Sequence, residues 1–163
     1  RIENVLLNND NSYWNIDLSS TSVFCDYIKI MDLINNASEK NTVDRAVIEQ
    51  IIDIAATGKL LPNIEEEWVD NYKSEYRDKL LDVLFKAINS VGIREDMHLL
   101  IKIANIILIQ DNIDEEAIVL KCRCLYNLGQ KGLSKLSFDK FCTDYIDLLG
   151  EEPTLSFKDI VKE

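Results

Sequence analysis

The side chains able to do chemistry are few and poorly spaced for it. His98 is the single histidine, so any Ser/His/Asp or Cys/His relay must pass through it. It stands in a helical run beside Leu99 and Leu100, where a structural role is expected. A small α-helical hydrolase is the reading that needs it, and that reading expects His98→Ala to abolish an activity. The four cysteines, Cys25, Cys122, Cys124 and Cys142, form no CxxC pair. With one histidine they give none of the usual zinc spacings. Cys122 and Cys124 are two apart on an expected helix, so they point about 200° apart and cannot share a metal. All four are expected as small buried apolar residues, which suits a reducing cytoplasm. Glu65, Glu66 and Glu67 read as the acidic start of a helix. No glycines form GxGxxG or a phosphate loop. The sequence predicts no catalytic residue, no metal and no cofactor.

Aromatic residues offer a different kind of site. Trp68, Tyr72 and Tyr76 repeat every four residues along one expected helix. One reading has them packing on a neighbouring helix. The other makes them a wall of a concave groove that accepts a partner segment, as helical stacks commonly do. Tyr126 adds to that surface.

The elements that must hold these residues are mostly helices. Five glycines and two prolines in 163 residues favour long helices and argue against a β-sandwich. The start differs: NVLL, NNDN and SYWNIDL read as strand, polar turn and strand, a short β-hairpin over residues 1–20 that is too small to stand alone. Ser19-Ser20-Thr21-Ser22 then offers N-caps to VFCDYIKIMDLI, with Phe24, Tyr27, Ile28, Met31 and Ile34 on one face. Thr42 is expected to cap VDRAVIEQIIDIAA, whose apolar face is Val43, Ala46, Val47, Ile51, Ile54 and Ala55. A long helix follows from Glu65 to about Ser90, then one from about Glu95 to Gln110. Asp114 caps the next, which ends at Leu128-Gly129. The sixth covers Lys131 to Leu149, and Ser156 opens a last short one, FKDIVK. Gly58, Gly92, Gly129 and Gly150 read as punctuation between helices.

Short links make antiparallel hairpins of Glu65–Gln110 and Asp114–Leu149. The second has tetratricopeptide-like spacing about Gly129: Cys122 seven before it, Leu125 four before it, Ser134 five after and Phe138 nine after. Small residues at Cys122, Ser134 and Ser137 let two helices touch. The helix Ala117–Leu128 is apolar on most sides because it is expected to lie sandwiched in a stack. The fold class expected is therefore all-α: antiparallel helical hairpins stacked as a tetratricopeptide-like array over residues 21–163, with a short N-terminal β-hairpin.

Charge narrows the partners. Eighteen basic residues against 29 acidic give a net charge of −11, a poor match to phosphate backbones. HLLIKIANIILI, the most apolar run, is too short to span a bilayer, so no membrane contact is expected of this stretch. The chain begins at Arg1, and it is expected to be a piece of a longer protein.

The segment from Asp111 to Pro153 carries a resemblance. Asp111, Asp114, Glu115, Glu116, Ala117, Leu125, Gly129, Phe138, Leu149, Gly150 and Pro153 fall in the order and spacing of a D-P-L-D-E-E-A start, a helix ending L-x-x-x-G, a tyrosine-containing helix and L-G-x-x-P. Upstream, Gly58, Leu60, Leu61, Trp68, Arg77, Leu80 and Leu81 match a G-x-L-L, E-W, R, L-L pattern. Together they resemble the bacterial transcriptional activator domain found in regulators of the Streptomyces antibiotic regulatory protein type, over about residues 22–160. Asn112 stands for the family's proline, and Gly132 and Ser134 for common alanines. The resemblance implies a non-catalytic, tetratricopeptide-like domain placed after a winged-helix DNA-binding domain. Residues Val5–Leu7 and Tyr13–Leu18 would then be the wing of that domain. It implies protein partners: itself, as a homodimer, an upstream sensor or DNA-binding domain, or the transcription machinery. DNA would be met only through the upstream domain. The alternative is a tetratricopeptide-type peptide-binding scaffold unrelated to transcription.

Overall fold

A computed structural model describes the backbone of residues 7–10 and 13–16, and residues 25–39 and 43–162 with their side chains. The fold is all-α. Among the described residues the helices are α1 (Asp26–Ser38), α2 (Arg45–Ala55), α3 (Glu67–Ile88), α4 (Met97–Gln110), α5 (Glu115–Asn127), α6 (Lys131–Leu149) and α7 (Phe157–Ile160). Ahead of them, the backbone of Leu7–Asp10 (β1) pairs antiparallel with Tyr13–Ile16 (β2), Leu7 opposite Ile16 and Asp10 opposite Tyr13. Asn8, Asn9 and Asp10 thus belong to β1 and not to the turn that their polarity suggested. Val5 and Leu6, the serines at 19, 20 and 22, Thr21 and Phe24 lie outside the described residues.

Aspartates open three of the helices. A carboxylate at the N-cap accepts an otherwise orphaned backbone N–H and faces the positive end of the helix. Asp44 accepts from Ala46 N at 2.9 Å, Asp96 from Leu99 N at 3.0 Å and Asp114 from Ala117 N at 2.7 Å. Asp114 is the cap the sequence indicated. Thr42, the cap expected for α2, is outside the described residues, and the helix begins only after Asp44. The start of α1 has Cys25 at its N-cap, with no side-chain bond. At the other end, Gly150 closes α6 at φ 75° and donates its N–H to Ile146 O at 2.8 Å. A side chain there would strain the left-handed backbone.

Asp96 does more than cap. Its second oxygen accepts from Arg45 at 2.7 Å, tying the start of α2 to the start of α4. The Leu99 N–H first, and then the Arg45 guanidinium, hold its carboxyl below the usual carboxylate value. A depressed folded pKa contributes stability that is present above the unfolded value, near 4, and is lost as pH falls through the folded one. Asp96→Asn keeps the cap acceptor and removes the charge. We expect it to cost about 0.5–1 kcal/mol at pH 7 and to flatten the acid limb of stability below about pH 4. Urea unfolding at pH 7 and pH 3 checks this; an unchanged difference between the two pH values refutes it.

The core is built round α4. Its run of apolar residues buries Leu99, Leu100, Ile103, Ala104, Ile106 and Ile107, and it packs on α2, α3 and α5. With α1, these form one continuous core that includes Ile30, Ile34, Ile48, Ile51, Leu80, Leu84 and, from α5, Ala117 and Cys124. A second, smaller core joins the opposite side of α5 (Ile118, Cys122) to Phe138 and Phe141 of α6 and Ile160 of α7. Residues seven apart share a helix face, while two apart are nearly opposed. So Ala117 and Cys124 serve one core and Cys122 the other. This is why α5 is apolar on most sides.

Two expected faces are rotated. In α1 the buried residues are Ile30, Met31, Ile34 and Ala37, and Ile28 is exposed. In α2 they are Ile48, Ile51, Ile52 and Ala55; Ala46 is exposed and Ile54 half-buried. In both helices the apolar arc is wider than one stripe, and the neighbouring helices choose which part of it goes inside.

Candidate functional site

Trp68 and Tyr72 project from the first turns of α3 into solvent. Trp68 retains 67% of its surface and Tyr72 52%, and their rings meet edge-on with centroids 6.5 Å apart. Ile64, just before α3, and Leu61 are exposed beside them in sequence. Edge-to-face aromatic pairs left in water present large, stiff contact area at small entropic cost on binding. Acidic Glu65, Glu66, Glu67 and Asp70 surround the pair in sequence, so the surface is an apolar anchor in a negative setting.

Tyr76 does not share this surface. It is 5% exposed and faces inward, its ring 6.3 Å from that of Tyr27 on α1. Burial, with a lesser contribution from Asp26, pushes its hydroxyl up to about 12, so it stays protonated at neutral pH. Tyr126, near the end of α5, is half-buried with Lys131 Nζ 4.9 Å from its ring centre. Among the described residues no ring contact joins it to Trp68 or Tyr72. The four aromatic residues therefore divide into an exposed pair, a core residue and a separate half-buried ring.

The contact between α5 and α6 has the geometry that its small residues suggest. Ser134 is fully buried and its hydroxyl donates to Cys122 O at 2.9 Å, while Cys122 Sγ lies 3.5 Å from Ser134 O. Ser137 sits at the edge of the contact, half-buried. Burial raises the Cys122 thiol to about 11 and raises Cys124 and Cys142 as well, so these thiols are protonated and poorly nucleophilic at pH 7. Cys122 and Cys124 are buried, whereas Cys25 and Cys142 are only half-buried. The end of the chain covers this region: Phe157 lies 5.6 Å from Phe138, and Arg123 Nε donates to Ile160 O at 3.0 Å.

One surface hollow was not legible in the sequence. About 430 Å³ in volume, it lies between the end of α3 and α5, with Phe85, Ile88, Val119 and Leu120 on its walls and Glu115 and Glu116 beside them. Its residues are some 30 positions apart in the chain, and only packing brings them together. His98 is exposed. Among the described residues no three His, Cys, Asp or Glu side chains gather as a metal site, and no helix is long and apolar enough to cross a membrane. Comparison of the chain with protein-family models, curated proteins and solved structures finds no match.

Proposed function

We propose that the chain is a non-catalytic regulatory and protein-interaction domain of a bacterial transcription regulator, set C-terminal to a DNA-binding domain. The observation that carries this reading is the close approach of α5 to α6 at Cys122 and Ser134. It falls inside the segment whose residues match the activator-domain pattern in order. The same approach supports a tetratricopeptide-like arrangement of the helices, and the paired β1 and β2 fit the wing of an upstream winged helix. On this reading the domain acts in the cytoplasm through protein contacts: with itself, a sensor, its own DNA-binding domain or the transcription machinery. Trp68 and Tyr72 are its first contact residues.

The test is DNA binding by this chain and by the longer protein containing the upstream region, across a salt titration. Tight binding that weakens steeply with salt is expected only when the upstream region is present. No binding by the longer protein under any condition ends the regulatory reading.

The exposed Trp68–Tyr72 pair also favours a second reading, a peptide-binding scaffold unrelated to transcription. Here Trp68→Ala with Tyr72→Ala abolishes capture of a defined peptide. Both rings are solvated, so the double variant is expected to leave stability within about 0.5 kcal/mol of the parent for each exposed site. A larger loss in urea unfolding means that the rings are structural.

A further inference from the structure

A second cavity, about 330 Å³, opens where the connector before α3 crosses the foot of α4. That is the lower end of the size range for small-molecule sites. Lys59, Lys73 and Arg77 line it against a single carboxylate, Asp70. Three cations to one acid is unusual local charge in a chain of net charge −11, and a positive cleft in an acidic protein focuses its field on anions.

One nearly buried polar group borders the same cavity without a hydrogen-bond partner. Gln110, the last residue of α4, keeps 7% of its surface, and its Nε2 is buried without a hydrogen-bond partner. A buried amide left unmet forfeits its hydration without compensation. Tyr76 also lines the cavity, with its hydroxyl open to solvent and without a hydrogen bond among the described residues. Buried polar groups are nearly always paired, and an exception calls for an unseen ligand or water. The connector is held in place above them: Lys73 Nζ donates to Ile64 O and lies 3.9 Å from Asp70. Among the described residues Arg77 is bonded only to its neighbour Asp78, at 3.3 Å, so its guanidinium can turn to a ligand with little loss.

We propose that this cavity binds a small organic anion, a carboxylate or phosphate ester that also carries hydroxyls. Arg77 and Lys59 hold the charge, and Gln110 and Tyr76 read the polar remainder from the floor. The site rests on this chain's own geometry and is independent of the regulatory reading.

The probes are citrate, glucose 6-phosphate and inorganic phosphate, each titrated at constant ionic strength against the ¹⁵N-labelled chain. Saturable movement of the Gln110 side-chain amide resonance is expected with at least one organic anion. Arg77→Ala and Gln110→Leu should each weaken that binding at least tenfold. Gln110→Leu should also match or exceed the parent in melting temperature without anion, which separates lost binding from lost folding. The proposal fails if no probe saturates, or if both variants bind as the parent does. Inorganic phosphate binding as tightly as both organic anions would overturn the assignment of an organic ligand.

Discussion

Phe138→Ala is expected to lower stability by about 3–5 kcal/mol and to release the end of the chain before the rest unfolds. Phe138 is 6% exposed, and its ring lies 6.3 Å from Phe141 and 5.6 Å from Phe157. The second core has few other large members, namely Ile118, Phe141 and Ile160. Removing one ring leaves a cavity that so small a cluster closes poorly. With it goes the support for α7, a helix of 4 residues that cannot stand without packing. Urea unfolding gives the loss, and limited proteolysis gives its place: cleavage is expected first between α6 and α7. A loss under about 1 kcal/mol, the centre of the range for ordinary substitutions, would show that the second core contributes little.

Ile103→Ala is expected to cost about 2–5 kcal/mol, with a different signature. Ile103 is fully buried at the middle of α4, the helix that meets α2, α3 and α5. A void there loosens the main core from several sides at once. Hydrogen exchange should therefore rise across α1 to α5 together, in contrast to the local rise in α6 and α7 expected for Phe138→Ala. If exchange rises in α4 alone, α4 is not the common support of the other helices.

That central role was partly visible in the residues. HLLIKIANIILI is the most apolar run in the chain, and an apolar helix too short for a bilayer belongs in a core. The boundaries of α5 and α6 were also legible, because Asp114, Gly129 and Gly150 mark them with cap chemistry that depends on neighbours in sequence alone. The aromatic row shows where such reasoning stops. A spacing of four advances about 400°, so each step drifts about 40° round the helix. From Trp68 to Tyr76 the drift is about 80°, enough to carry one ring from solvent into the core. The faces of α1 and α2 depart from the helical period for a related cause: their apolar arcs are wide, and the partner helix, not the period, selects the buried part. Neither cavity could be read at all. Gln110 and Lys59 meet only because α4 ends beside the connector, and no local pattern encodes that meeting.

The shared helix α5 also gives the molecule two built-in clocks. Cys122 faces the smaller core and Cys124 the larger. Burial keeps both thiols protonated, so each reacts with a disulfide reagent only when its own side of α5 opens. The two rates of labelling, resolved by mass spectrometry, time the two openings separately on one helix. Should Cys122 be labelled well before Cys124, the end of the chain comes away while the main body holds. Equal rates would mean that α5 welds both cores into one cooperative unit.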